Sequence, residues 1–173
     1  MYIIFTGNGK GKTTAALGQG LRALGTGKSV LMVQFIKGPW KSGEDTSVKK
    51  LAPKFKIVKM GKGFVGILND VLPWLEHQKA AQEGVQFAME QIKEKKWDMV
   101  ILDEIHVAIS LKLICQADLD KLVNEATALG IDIVATGREA TPEQIAKADL
   151  VTEMQEMKHP YYAGQKAAKG IEF

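Results

Sequence analysis

The sequence predicts an α/β protein, a three-layer α/β/α sandwich around a mostly parallel sheet of five or six strands. Three observations carry that expectation. An apolar, β-prone run at Tyr2-Ile3-Ile4-Phe5 passes through a glycine-rich turn into a helix-forming run, Ala15–Leu21. The stretch Ser29–Ile36 is mostly continuous apolar residues, as strands buried on both faces of a parallel sheet are. Segments with apolar residues at helical spacing lie between such runs, so that strand and helix alternate through the whole length.

The turn after the first strand reads Gly7-Asn8-Gly9-Lys10-Gly11-Lys12-Thr13-Thr14. Strand, glycine loop, Lys-Thr and helix are the parts of a phosphate-binding loop. Glycine lets backbone N–H groups turn inward around an anion, because no Cβ blocks the approach. The helix that follows adds its unpaired N–H groups and the positive end of its dipole. Lys12 then supplies a charge to the phosphates and the Thr13 hydroxyl a ligand to Mg²⁺. The usual pattern has four residues between its two glycines; here Gly7 and Gly11 are separated by three.

The remaining elements follow in order. A helix over Thr13–Leu24 ends at Gly25-Thr26-Gly27. The strand Ser29–Ile36 leads into Lys37–Lys50, a polar stretch with Gly38, Pro39 and Gly43 that reads as the closest thing to a linker. Phe55–Met60 is a shorter strand, with the loop Gly61–Gly66 at its carboxyl end. A long helix over Trp74–Lys96 places Ala81, Val85, Ala88 and Ile92 on one face. The strand Asp98–Leu102 ends in Asp103-Glu104, acids at a strand terminus that hold or orient Mg²⁺ in loop-type nucleotide binders. A helix over Gln116–Leu129, capped by Gly130, precedes the strand Ile131–Thr136 and Gly137-Arg138. Thr141 and Pro142 are N-cap and first residue of a short helix. Leu150–Met154 is the last strand, and the tail Lys158–Phe173 lies along the surface over the site. Ligands in such sheets bind at the carboxyl ends of the strands. That edge collects Thr6–Thr14, Lys37–Trp40, Gly61–Gly66, Asp103–His106 and Gly137-Arg138.

The 173 residues are read as a single nucleotide-binding domain, 1–173, long enough to bury a substantial core. A formal charge of +3 suits an anionic small molecule and does not argue for nucleic acid. One cysteine, Cys115, excludes an internal disulfide and makes a reducing compartment the default. With a strand at the start and no apolar run long enough for a bilayer, the expectation is a cytoplasmic protein without a membrane partner.

The shortened loop resembles that of the ATP:corrinoid adenosyltransferases, and the likeness continues in order along the chain. It includes Val33–Gly38, Met60–Phe64, Leu102-Asp103-Glu104, Thr136-Gly137-Arg138, Ala148–Met154 and the ending Lys169-Gly170-Ile171-Glu172-Phe173. The resemblance implies a P-loop, RecA-like nucleotide-binding fold. It implies transfer of the 5′-deoxyadenosyl group of ATP to the Co(I) of a reduced corrinoid, with triphosphate released, in cobalamin biosynthesis or salvage. Co(I) is a very strong nucleophile, so the protein needs neither a base nor a nucleophile of its own. Its tasks are to hold C5′ in line and to stabilise charge on the leaving triphosphate.

By the same resemblance, ATP docks in reverse, with its terminal phosphate deepest in the loop. Asn8, Gly9, Lys10, Gly11, Lys12, Thr13, Thr14 and Arg138 contact the nucleotide. Thr13 and Glu104 hold Mg²⁺, with Asp103 behind them or as an alternative ligand. Phe64 packs on the lower corrin face. A flavoprotein reductant and a homodimer are further expectations. The chain departs from the family at Gly66, where members often carry a tryptophan; Trp74 is the nearby aromatic that could replace it. Members also often carry an N-terminal extension over the corrinoid, whereas Met1 stands here almost at the first strand.

Two other reactions use the same loop. A small-molecule kinase would release ADP, and a RecA-like ATPase would release ADP and phosphate. A non-catalytic ATP-binding regulator would bind without turnover. Among the other conspicuous residues, His106 reads as structural or as support to the acids. His77 reads as solvated on a charged helix, His159 as a tail residue with a corrinoid contact as the alternative, and Cys115 as a small buried hydrophobe. No His/Cys cluster points to zinc.

Overall fold

The computed structural model describes residues 1–67 and 70–171. Its strands are β1 (Tyr2–Thr6), β2 (Val30–Gln34), β3 (Phe55–Lys59), β4 (Met99–Asp103), β5 (Asp132–Thr136) and β6 (Leu150–Glu153). Its helices are α1 (Lys12–Gly25), α2 (Gly43–Lys49), α3 (Trp74–Lys93), α4 (Ile105–Ser110), α5 (Gln116–Ala128) and α6 (Pro142–Lys147), with a 3₁₀ turn at Pro160–Ala163. The six strands form one sheet in the order β3-β2-β4-β5-β1-β6, and every pairing is parallel.

Alternation along the strands sorts the core into two layers. Tyr2 and Ile4 of β1, Leu31 and Val33 of β2, and Val100 and Leu102 of β4 face one side. There they meet Ala81, Ala88 and Ile92 of α3 and Leu119, Leu122 and Ala126 of α5. Ile3, Phe5, Val30, Met32 and Ile101 face the other side, against Ala16 and Ala23 of α1 and Val48 of α2. Both faces of the sheet are therefore covered, which is why the central strands read as unbroken apolar runs. Within α1, Gly20 permits close packing: a Cβ there would lie 2.9 Å from the Phe55 ring.

Two short helices depart from the sequence reading. The stretch that reads as a linker contains α2, started by Ser42, whose N–H donates to the Asp45 carboxylate at 2.8 Å. The acids at the end of β4 lead straight into α4. Two single-residue expectations are corrected as well. His77 is buried in α3, its Nε2 lying 3.0 Å from Asp70 Oδ2, rather than solvated. Cys115 is exposed, because it occupies the N-cap of α5 instead of an inward position. Thr141 caps α6 as its sequence implies, accepting the N–H of Gln144. Of the family-like ending, Glu172 and Phe173 lie outside the described residues.

Candidate functional site at the carboxyl edge of the sheet

The loop between β1 and α1 is shaped by close packing on the end of β6. A Cβ on Gly7 would stand 2.5 Å from the Met154 carbonyl oxygen, and one on Gly9 would stand 2.7 Å from it. The Gly9 N–H donates to that same carbonyl at 2.6 Å. Gly7 and Gly11 also have φ values of 95° and 120°, which side chains with a Cβ rarely adopt. The glycines thus fix a tight turn whose helix begins at Lys12 with no acidic residue in its first turn. The positive end of the α1 dipole is left uncompensated.

Lys12 is buried beneath this loop. Its Nζ donates to the carbonyls of Gly7 and Gly9, both at 2.7 Å. An ammonium has three donors, so one remains for an anion seated on the loop. Burial is the larger influence on its pKa and lowers it, with Glu104 pulling in the opposite direction.

The acids at the end of β4 divide by burial. Asp103 is fully buried. Its Oδ1 accepts from Thr13 Oγ1 at 2.9 Å and from Thr136 Oγ1 at 2.8 Å, and its Oδ2 accepts from Gln34 Nε2 at 2.9 Å. Burial raises its pKa, and these three donors oppose the rise. Glu104 instead lines the cleft above the loop. Its backbone is left-handed, with φ 61° and ψ 24°, a conformation uncommon for a residue with a Cβ. The bond from its N–H to Thr136 Oγ1, at 2.9 Å, holds it there. Burial and the neighbouring Asp103 raise the Glu104 pKa, while Lys12 and Arg138 lower it.

Thr136 has this place because of the strand order. β5 stands between β1, which carries the loop, and β4, which carries the acids. Its last residue fills the gap and ties Asp103 to the Glu104 backbone. Neither Thr136 nor Gln34 stands out in the sequence as a partner of the acids; their position at strand ends beside β4 is the signal.

The cleft has a volume of about 840 Å³. All the loop residues from Asn8 to Thr14 line it, as do Glu104 and Arg138. Arg138 is exposed, just after Gly137, whose φ of 141° and approach to His106 admit no side chain. Lys37 and Glu44 also line the cleft and form an ion pair that joins the end of β2 to α2. Glu156, just after β6, lines it too, and the tail contributes His159, Gly170 and Ile171, so the tail does lie across the site.

His106 sits behind the acids, 1% exposed, and neither ring nitrogen has a hydrogen-bond partner. Burial pushes its pKa down to about 4.

Phe64 does not line this cleft. It stands on the loop after β3, with its ring centroid 6.1 Å from that of Trp40. Gly66 has φ 69°, so its backbone conformation disfavours the tryptophan that the resemblance leads one to expect there. Trp74 is not among the ring partners of Phe64 among the described residues.

Oxygen donors of this kind fit Mg²⁺, which takes one or two protein oxygens and completes an octahedron with phosphates and water. The Thr13 hydroxyl and the Glu104 carboxylate are such donors at the cleft, and Asp103 orients the first of them. Among the described residues no cluster of three His, Cys, Asp or Glu could hold a metal by itself.

The chain as a whole is similar to known proteins. The family model described as ATP:corrinoid adenosyltransferase BtuR/CobO/CobP matches residues 1–173. The corrinoid adenosyltransferase of Escherichia coli K12 is 36% identical over 173 residues, covering 100% of this chain and 85% of the relative. That of Sinorhizobium sp is 35% identical, covering 100% of the chain and 80% of the relative. That of Salmonella typhimurium is 34% identical, covering 100% and 85%. Among solved structures, the flagellar accessory protein FlaH from Methanocaldococcus jannaschii aligns with a TM-score of 0.57 at 14% identity. That alignment covers 88% of this chain and 69% of FlaH, and it speaks for the fold alone.

Proposed function

The chain belongs to the ATP:corrinoid adenosyltransferase family, and from that premise we propose how its residues divide the reaction. The activity is transfer of the 5′-deoxyadenosyl group of ATP to a reduced corrinoid. The C5′–O bond of ATP breaks and takes its electron pair into triphosphate. The electron pair on Co(I) forms the new cobalt–carbon bond. No proton moves in that step, so the site needs no general base.

One observation carries the assignment of roles. The glycine loop, Lys12 beneath it, and the Thr13–Asp103–Thr136–Glu104 chain converge on a single cleft. The backbone N–H groups of Gly9–Thr13 bind the triphosphate, and Lys12 meets the charge that grows on it as C5′–O breaks. Asn8, Lys10, Thr14 and Arg138 surround the nucleotide from the rim of the cleft. Thr13 and Glu104 would hold Mg²⁺, which when bound neutralises phosphate charge. Asp103 keeps the Thr13 hydroxyl oriented through its hydrogen bond. Phe64 takes the corrinoid side, its half-exposed ring turned to a large apolar substrate.

The lone Cys115 fits a cytoplasmic setting, in which a flavoprotein supplies the electrons that produce Co(I). Val71, Leu72 and Leu75 are exposed apolar side chains, of the kind the expected homodimer would cover. Among the described residues no helix is long and apolar enough to cross a membrane.

The test is anaerobic. Mg-ATP and chemically reduced Co(I) cobalamin are mixed with the protein, and the corrin absorbance is followed. The expected result is loss of the Co(I) spectrum and a light-sensitive cobalt–carbon product. An unchanged Co(I) spectrum with every corrinoid tried would overturn the reading.

A further inference from the structure

We infer that Trp40 is a corrinoid-contact residue, which with Phe64 forms an aromatic platform on the loops beside the cleft; this rests on the adenosyl-transfer reading above. The segment that carries Trp40 is bracketed by the site. Lys37 before it and Gly43 and Glu44 after it all line the cleft. The Lys37–Glu44 ion pair closes the segment into a short loop beside the nucleotide cradle.

Trp40 is also seated, although its surface is open. The indole lies against two residues that have no side chain. A Cβ on Gly63 would fall 2.5 Å from its Cη2, and one on Gly38 would fall 2.8 Å from its Cζ3. Gly63 has φ 116° and donates its N–H to the Ile36 carbonyl at 2.9 Å, which zips the Phe64 loop to the Trp40 loop. Lys59 Nζ donates to the Trp40 carbonyl at 2.6 Å and to Asp45 at 2.6 Å, which pins the same loop to β3 and α2. One side of the indole is therefore fixed by backbone, while 62% of the residue stays exposed.

The ring of Phe64, 48% exposed, sits 6.1 Å away at a tilt of 30°. A large aromatic pair held in place and left uncovered has the character of a binding surface rather than of a core. A corrin is a broad, largely apolar macrocycle, with far more face to lay on a two-ring platform than the adenine of ATP has. The triphosphate end of ATP is accounted for by the loop. Aromatic rings also supply contact area at a low cost in side-chain freedom.

The experiment compares Trp40→Ala and Trp40→Phe with the wild-type protein, measuring KM for cobalamin and KM for ATP separately. The inference expects cobalamin KM to rise about tenfold in Trp40→Ala, with ATP KM unchanged and Trp40→Phe in between. The chain has three tryptophans, so Trp74→Phe with Trp97→Phe leaves Trp40 as the sole indole. Hydroxocobalamin should quench that emission saturably, and Mg-ATP alone should not. This second measurement keeps Trp40 native even if Trp40→Ala folds poorly. Because energy transfer to a corrin reaches distant indoles too, the quench at Trp40 must exceed that of Trp97 alone in Trp40→Phe with Trp74→Phe, and an equal quench would count against contact. Unchanged cobalamin KM in Trp40→Ala, or no saturable quench, with wild-type transfer intact, would overturn the platform alone. Absence of transfer by the wild-type protein would overturn the reading beneath it.

Discussion

The nucleotide end and the aromatic end of the site are built in opposite ways. Around the loop, Lys12 and Asp103 are buried and held by short hydrogen bonds, and the glycines are pressed against the Met154 and Gln155 backbone. At Trp40 and Phe64 the backbone is fixed but the rings are open. The difference matches the chemistry proposed for each end. Stabilising charge on a leaving triphosphate requires dipoles already in place, since reorganising them during the reaction would raise the barrier. Receiving a large, broad substrate requires exposed apolar area, because its burial is what drives binding.

The contrast can be broken most sharply at Lys12. Lys12→Ala should lower the adenosylation rate at least ~100-fold, the scale of losing one preorganised donor. Initial rates at saturating ATP and corrinoid check this, with circular dichroism to show that the fold persists. A rate near wild type would remove Lys12 from the charge-stabilising role.

Behind the nucleotide end, His106 offers a pH test. It titrates near 4 in the folded chain, against an ordinary value of 6.5. Between those values the unfolded chain binds a proton that the folded chain does not. Its contribution is therefore fully present above pH 6.5 and is lost as pH falls toward 4, on the order of 3 kcal/mol across the window. Urea denaturation at pH 7.5 and pH 4.5 should show that loss, and His106→Leu should flatten it. An equal loss in both proteins would assign the pH dependence to other groups.

Thr136→Val leaves Asp103 without one donor and the Glu104 N–H without its acceptor. We expect a loss of about 1–3 kcal/mol in stability and weaker Mg-ATP binding, read by denaturation and by calorimetric titration. Unaltered nucleotide binding would separate the position of Glu104 from the function of the cleft. At the open end, Phe64→Ala should raise KM for the corrinoid while changing stability by less than about 0.5 kcal/mol. A large drop in melting temperature would mean that the ring supports the loop instead of the substrate.

Much of this was legible in the chain, and the exceptions share a cause. The loop, the six strands and the long helices announce themselves through local spacing: Gly7–Thr14, the apolar runs, and the periodic Ala81, Ala88 and Ile92. The short helix α2 is obscured by Gly38, Pro39 and Gly43, although Ser42 followed by Asp45 is a capping pair that marks its start. His77 reads as solvated because its burial depends on Asp70 in a preceding loop. Gln34 and Thr136 become partners of Asp103 only once β2 and β5 flank β4. Trp40 and Phe64 meet because β2 pairs with β3, which brings their following loops together. Tertiary neighbours of this kind leave no periodic trace in a sequence.

The central claim is that the loop grips a leaving triphosphate, and the inorganic product tests it directly. In a single turnover of Mg-ATP with Co(I) cobalamin, phosphorus NMR should show intact triphosphate forming in step with adenosylated corrinoid. ADP and orthophosphate in its place would contradict the account and make this loop the site of a phosphoryl transfer.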